Sequence, residues 1–217
     1  MSKFLSLESP IIQFLERVAD IFIISCLTVL ISLPIFTIGP AITAAFKVQQ
    51  NTIMKNEQPV LKTYFRAFTS NFKQAVLIGL IGLVVLAFLV FDLLLVYFNM
   101  AGNLAFLLYL LLGLTTVIAM CTAIFSLQLV ARYDNTFKEH LRNGFFLAMA
   151  NLPSTVFIMV LVAIPIAIIF INPNFFFDTV IFWAFCGIGL LLLCITRIIC
   201  PILQKLEEVE EGQEEIE

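Results

Sequence analysis

The sequence predicts an all-α fold: a polytopic transmembrane helical bundle of about five membrane segments, with an amphipathic helix at the cytoplasmic interface. Three observations predict it. Hydrophobic residues make up 61% of the 217 residues and charged residues 12%, whereas soluble domains have about 45–50% and about 25%. The apolar residues gather into blocks long enough to cross a bilayer. The basic residues gather in alternate connections, which is typical of multi-pass membrane proteins.

Four charge-poor blocks are each longer than the about 20 helical residues that cross the hydrocarbon. They cover residues 75–98, 104–131, 145–171 and 179–201. A fifth block, 21–38, is shorter and is interrupted by Pro34, which removes a backbone donor from a helix. We count this block as the first of five segments.

The chain divides into one predicted membrane domain, residues 1–203, and an acidic tail, residues 204–217. Seven glutamates lie among the last eleven residues. We expect the tail to begin as an extension of the last helix and to continue as a solvated acidic run. The start of the chain lacks the pattern of a cleavable signal peptide.

Basic residues orient the segments. The connection between the first and second blocks carries five of them: Lys47, Lys55, Lys62, Arg66 and Lys73. The connection between the third and fourth blocks carries three: Arg132, Lys138 and Arg142. The other two connections carry none, so the positive-inside rule places the basic loops and the C-terminus in the cytoplasm.

The side of the N-terminus has two alternatives. If residues 21–38 cross fully, the chain has five spans and the N-terminus lies outside, which we favour. If the break at residues 34–40 turns the chain back, the first segment is a re-entrant hairpin and the N-terminus lies inside. Two bases near the N-terminus favour the inside, but three acids accompany them.

The first basic loop contains two amphipathic pieces. From Ala41 onward, apolar residues including Phe46 share one helical side and Lys47 lies on another. In the second piece, Phe65, Phe68 and Phe72 fall on one face, opposite Lys62, Arg66 and Lys73. Aromatic and basic faces of this kind predict a helix lying in the lipid interface. The alternatives are a helix packed on its own membrane domain or the lower end of the next span.

The sequence contains no pattern of catalytic or metal-binding residues. The single histidine, His140, lies in a predicted cytoplasmic loop, where we expect a solvated side chain. The five cysteines lie within apolar blocks without a C-x-x-C pair, as buried thiols do. We therefore expect no enzymatic activity, no cofactor, no metal and no nucleic-acid partner, and we expect membrane lipids as partners.

Two charged residues fall inside predicted spans and are candidate intramembrane polar residues. Asp92 lies about two turns from the outer end of its span, where a carboxylate is costly and is often functional. It could bind a cation or proton, or make a structural polar contact, which we favour. Arg197 lies near the inner end of the last span and can reach lipid phosphates.

The proline break in the first block also has two interpretations. Broken membrane helices build substrate sites in some transporters. They also make turns in which a glycine such as Gly39 allows close helix packing, and hydroxyls such as that of Thr37 cap carbonyls. We favour the packing role over a binding site for Thr37, Gly39 and Thr43.

Two stretches of the chain resemble a known family. "SLPIFTIGPAITAAF" and, downstream, "YFRAFTSNFKQA" are similar to the YesL-like family of bacterial integral membrane proteins, which is a domain of unknown function. The similarity is strongest over about residues 20–80. Its motif positions in this chain are Pro34, Thr37, Gly39, Pro40, Phe68, Asn71 and Phe72.

The resemblance implies a location and a role. It implies a bacterial plasma-membrane protein, non-enzymatic and accessory to carbohydrate uptake, with subunits of sugar-import ABC transporters as partners. It supplies no catalytic residues. The alternative function is a small transporter or channel that uses the broken first segment and Asp92.

Overall fold

The computed structural model describes residues 10–54 and 58–214, and within these ranges every regular element is a helix. The α-helices are α1 Pro10–Ile31, α2 Ile38–Ile53, α3 Val60–Ser70, α4 Phe72–Asn99, α5 Asn103–Arg132, α6 Phe137–Ala150, α7 Leu152–Ile171, α8 Pro173–Phe182 and α9 Ile188–Glu214. A 3-10 turn, Ile35–Thr37, joins α1 to α2. A π-helical turn, Trp183–Gly187, joins α8 to α9 without interrupting the helix.

Four described helices are long and apolar enough to cross a membrane. They are Phe72–Asn99, Asn103–Arg132, Leu152–Ile169 and Phe177–Glu208. The predicted all-α, multi-pass membrane architecture is therefore confirmed at this level. The predicted first segment, 21–38, is not among the four, and its residues are divided between α1, the 3-10 turn and the start of α2.

The predicted segment 145–171 is two helices rather than one. α6 ends at Ala150 and α7 begins at Leu152. Between them, the Asn151 side chain donates a hydrogen bond to the Leu147 carbonyl, 3.0 Å away. Pro153, in the first turn of α7, needs no backbone partner there. Hydropathy alone missed this break because both sides of it are apolar.

The predicted segment 179–201 belongs to a longer helix, which begins at α8 and ends with α9. The residues from 204 onward, predicted as a helical start followed by a solvated run, are helical as far as residue 214. Residues 215–217 of the predicted tail lie outside the described residues.

Helix α2 runs across the spans rather than along them. Gly39 lies near the start of α2, and a side chain there would meet Ala75 and Gly79 on α4. At 1.5 Å per residue, these two residues lie within about 11 Å of the start of α4. Gln50, near the end of α2, bonds to Gln128, about 6 Å from the end of α5. Both ends of this 16-residue helix, about 24 Å long, thus lie near the same end of the bundle. We call that end, where Lys73 and Arg132 lie, the basic end.

The prediction that the piece from Ala41 onward lies in the lipid interface was wrong. Helix α2 is the centre of the core, and Phe46 is 1% exposed. Its alanines at 41, 44 and 45 are all fully buried, so neighbouring helices approach its backbone closely. The amphipathic pattern was misread because Gln49 and Gln50 of α2 contact an amide, a hydroxyl and a carbonyl of other helices rather than water.

Helix α1 packs antiparallel to α2, and α3 covers the pair. The Tyr64 hydroxyl on α3 donates to the Ala41 carbonyl at 3.1 Å and lies 3.4 Å from the Thr28 hydroxyl of α1. Nearer the start of α1, Asp20 lines a pocket together with Asn51 at the end of α2. The α1–α2 hairpin therefore lies across the basic end.

The inward face of α3 differs from the predicted one. Its buried residues are Thr63, Tyr64 and Ala67, whereas Phe65 is 48% exposed. Phe72 belongs to α4 rather than to this helix. Helix α3 thus packs on its own membrane domain, which was one of the alternatives.

Burial is concentrated near the basic end. The buried apolar side chains of α5 lie mainly at residues 121–131 and those of α9 at residues 192–203. In the far halves of α4 and α5, only Leu89, Val96 and Ala105 are buried among the described residues. The two helices cover each other there, and their other faces are open to lipid.

Candidate functional site

The centre of the bundle holds a chain of buried polar side chains on α2, α5 and α9. The Gln50 amide on α2 donates to the side-chain oxygen of Gln128 on α5 at 2.6 Å. The Gln128 amide donates to the Thr196 hydroxyl on α9 at 3.0 Å. That hydroxyl lies 3.1 Å from the side-chain oxygen of Gln49. These groups satisfy one another, as buried polar groups usually do, except that the side-chain oxygen of Gln50 has no hydrogen-bond partner in the described part of the chain.

The same network ties α1 to α9 through a close backbone approach. The Gln49 amide donates to the Gly189 carbonyl at 2.9 Å, and the Gly189 amide donates to the Ser25 hydroxyl at 3.2 Å. A Cβ on Gly189 would lie 2.6 Å from the Ile21 carbonyl oxygen. Glycine therefore lets α1 and α9 touch at this point.

A polar pocket of about 410 Å³ opens at the basic end beside this network. It lies between α2, α3 and the connection from α5 to α6. The charged and amide side chains that line it are Lys47, Asn51, Gln58, Arg66, Asn71, Arg132 and Asp134. We call it the Lys47 pocket.

The Lys47 pocket is electropositive. Partial burial lowers the pKa of the Lys47 ammonium, and Arg132 and Arg66 lower it further, whereas Asp134 raises it. Within the described part of the chain, Lys47 makes neither an ion pair nor a hydrogen bond. A half-buried cation without a partner favours a negatively charged group.

Arg132, the third basic residue of the Lys47 pocket, is paired with an acidic residue of the last helix. Arg132 Nε donates to Glu207 Oε1 at 2.7 Å, and a second guanidinium nitrogen donates to the other oxygen of that carboxylate. The Tyr133 hydroxyl also donates to Glu207, at 2.8 Å. Glu207 thus neutralises Arg132, and Lys47 and Arg66 remain to face the pocket.

The motif residues of the proline break lie at a helix crossing. The Thr37 hydroxyl bonds to the carbonyls of Ile31 and Pro34, so it caps the end of α1. Gly39 and Pro40 are buried where α2 meets α4. These contacts agree with the packing role that we favoured for Thr37 and Gly39, whereas the buried Thr43 hydroxyl has no hydrogen-bond partner in the described part of the chain.

The downstream motif residues form the corner between α3 and α4. The rings of Phe68 and Phe72 meet edge to face, with centroids 5.4 Å apart. Asn71 lies between the two helices and lines the Lys47 pocket. Of the predicted motif positions, Asn71 is therefore the one that reaches this pocket.

The two candidate intramembrane residues lie elsewhere. Asp92 is half-buried on the stripe of α4 that carries Leu89 and Val96, three and four residues away. It is about 30 Å along α4 from the basic end. Arg197 is exposed on α9 and does not line the Lys47 pocket.

The prediction of a solvated histidine was wrong. The predicted loop contains α6, and His140 in its first turns is 1% exposed. Burial lowers the pKa of its imidazole, although Glu139 and Asp134 act in the opposite direction. A Thr136 capping box begins this helix, a signal that the sequence did carry.

Sequence reasoning also missed the buried network. Gln128 lies inside a predicted span, and an amide at that depth requires a partner, so its position was a usable signal. Gln49 and Gln50 carried no such signal, because they fall in a predicted basic connection rather than in a span. Thr196 carried none because a hydroxyl can bond within its own helix, as it does to the Leu192 carbonyl.

Comparison with known families supports part of the resemblance. The family model described as "Protein of unknown function, DUF624" matches residues 21–93, about a third of the chain. The matched residues include Lys47, Arg66 and Asn71 of the Lys47 pocket. No curated protein and no solved structure matched the chain.

Proposed function

We propose that this protein is a non-enzymatic membrane component accessory to carbohydrate uptake, and that it receives an acidic group of a partner in the Lys47 pocket. The partners are subunits of sugar-import ABC transporters, as the resemblance to the YesL-like family implies. The observation that carries the proposal is Lys47 itself, a half-buried ammonium that forms no ion pair in the described ranges although Asp134 lies in the same pocket.

Two features support the use of this pocket. Its donors come from α2, α3 and α5, so the packing of these helices fixes the backbone positions from which the donors reach the pocket. Charge-assisted hydrogen bonds to carboxylate or phosphate are about twice as strong as neutral ones. A partner that brings such a group gains affinity without a rearrangement of the bundle.

Co-purification tests the proposal. The tagged protein is extracted from membranes in mild detergent after growth on several sugars, and the recovered transporter subunits are quantified by mass spectrometry. We expect the unaltered chain to recover subunits of one importer. Lys47→Gln should lower recovery about tenfold, as the loss of one charge-assisted contact predicts.

The matched control is Lys62→Gln, an exposed base on α3 that does not line the pocket. It should leave recovery unchanged. Recovery of the protein alone on every sugar would overturn the proposal. Equal losses in both variants would overturn the role of the pocket.

We infer a topology that accompanies this function. The basic end faces the cytoplasm, α3 packs on the bundle at that end, and the α1–α2 hairpin enters from the cytoplasmic side and returns to it. The N-terminus then lies inside, and the number of full spans is four. The transverse course of α2 supports this alternative over the five spans that we favoured from the sequence.

A second candidate function is a small transporter or channel. The half-buried carboxylate of Asp92, on the side of α4 that carries buried residues, favours it. Flux in proteoliposomes tests this candidate, with Asp92→Asn expected to abolish it. The exposed carboxylate of Asp178 provides the control, Asp178→Asn. Flux that survives Asp92→Asn would exclude the role of Asp92.

A further inference from the structure

A second cavity, separate from the Lys47 pocket, lies between α4, α5 and α6. Its volume is about 650 Å³, within the range of ligand sites of about 300–1,000 Å³. Small residues on two helices form its floor, Gly82 on α4 with Ala119 and Ala123 on α5. A Cβ on Gly82 would lie 3.5 Å from that of Ala123, so the two spans pack directly beneath the groove.

The walls of the groove are apolar and open to the side. Phe145 and Phe146 of α6 are 40% and 60% exposed, and Ile81 of α4 is 42% exposed. Among the described residues of the lining, only Thr122 has a hydroxyl, and that hydroxyl already bonds to the Ile118 carbonyl at 2.8 Å. The groove therefore offers hydrocarbon surface along its length, on the face that the spans present to lipid.

Two bases stand at one edge of the groove. Lys138 and Arg142 line it from α6, and their spacing of four residues puts them on the same helix face. Both are exposed, and neither forms an ion pair or hydrogen bond in the described portion of the chain. The acid between them, Glu139, is held by the Thr136 amide at 2.8 Å and does not line the groove.

The depth of the groove matches one lipid leaflet. Its α4 residues begin at Ile78 and end at Val85, about 9–20 Å from the basic end of α4. This is the depth of acyl chains, and α6 with its two bases lies on the side of the basic end. A molecule with an acyl chain and an anionic phosphate fits both parts of the groove.

We propose that this groove is a binding site for an anionic phospholipid, with an acyl chain between α4 and α5 and the headgroup phosphate between Lys138 and Arg142. Two bases next to a membrane surface contribute about 1 kcal/mol each, which converts to a preference of about thirtyfold for an anionic over a zwitterionic lipid. The site stands independently of the Lys47 pocket and of any transport partner.

Native mass spectrometry tests the proposal. The purified protein is mixed with equal amounts of phosphatidylglycerol and phosphatidylcholine, and the bound lipids are counted. We expect phosphatidylglycerol to be preferred at least about tenfold. Lys138→Gln/Arg142→Gln should abolish this preference. The control pair Lys62→Gln/Lys73→Gln removes two bases outside the groove and should keep it.

Two further experiments distinguish a lipid-binding site from a site for free phosphate. Glycerol phosphate has the headgroup without acyl chains, and it should not displace bound phosphatidylglycerol. Ala119→Phe fills the floor of the groove and should lower the binding of both lipids. The proposal is overturned if the unaltered protein binds both lipids equally, if the groove and control pairs behave alike, or if glycerol phosphate competes.

Discussion

Gly39 has no space for a side chain. A Cβ at this position would overlap the carbonyl oxygen of Ala75 and lie 3.1 Å from the Cα of Gly79. Both are backbone atoms of α4, which cannot move aside as a flexible side chain could. The crossing of α2 and α4 therefore requires glycine.

Gly39→Ala should destabilise the protein by about 2 kcal/mol, because overpacking costs about 1–3 kcal/mol. The midpoint of thermal unfolding in detergent should fall by about 4–8 °C. The control is Gly113→Ala on α5, where a Cβ meets nothing within 4 Å. It should leave the midpoint unchanged or slightly higher, since alanine favours the helix. Equal midpoints for the two variants would contradict the crossing.

The Thr196 hydroxyl forms hydrogen bonds with two buried side-chain amides, those of Gln49 and Gln128. Valine has nearly the shape of threonine but lacks the hydroxyl. Thr196→Val should cost about 1–3 kcal/mol, because Gln128 loses its acceptor and Gln49 a donor in the core. The measurement is the midpoint of thermal unfolding in detergent. Thr115→Val is the control, since that exposed hydroxyl bonds only within its own helix. A midpoint unchanged by Thr196→Val would show that the network adds no stability.

Helix α6 makes stability depend on pH through His140. Burial lowers the pKa of His140 in the folded protein below its ordinary value of 6.5. Below about pH 6.5, the unfolded chain therefore binds a proton that the folded chain does not, so stability falls as the pH falls. The midpoint of unfolding should be lower at pH 5.5 than at pH 7.5.

His140→Gln should reduce this difference in midpoint between the two pH values. Gln is neutral at both, so the variant keeps a polar side chain of similar reach without the titration. A difference of the same size in His140→Gln would assign the pH dependence to other groups.

The elements differ in how well the sequence predicted them. The segments predicted at 75–98 and 104–131 agree with α4 and α5 within three residues at each end, because lipid-facing helices must be apolar on most sides. Helices α2 and α6 were misplaced because the same amphipathic pattern suits a helix on lipid and a helix inside a bundle. A helix on lipid and a helix inside a bundle differ in the groups that their polar residues contact; Gln50, for example, contacts Gln128. The sequence pattern of a single helix does not identify those groups.

The candidate site was less predictable than the spans. Lys47 was recognised as a base of the first connection, but its pocket also needs Arg66, Asn71 and Arg132, which come from two other parts of the chain. The family-like motif located Asn71 without its neighbours. Spatial clusters of this kind follow from the packing of α2 against α3 and α5, which hydropathy does not determine.

At the scale of the whole molecule, the proposed topology predicts the labelling of single cysteines. A membrane-impermeant thiol reagent applied to intact cells should label Ala101→Cys, in the connection between α4 and α5. It should not label Gln13→Cys, at the start of α1, or Asn135→Cys, before α6. After lysis, all three should react.

The unaltered chain measures the background from its five cysteines. Labelling of Gln13→Cys in intact cells would place the N-terminus outside and restore the five-span alternative. Labelling of Asn135→Cys would overturn the orientation as a whole.

The transverse position of α2 has a consequence for biosynthesis. Gln49 meets Thr196 across a separation of 147 residues, so most of the chain leaves the ribosome before the first hairpin finds its last partner. Until α9 is inserted, the amides of α2 lack that partner and must be satisfied by water or by the insertion machinery. The bundle therefore closes around α1 and α2 only after α9 has been synthesised, and a chain that ends before α9 should leave this hairpin open to protease.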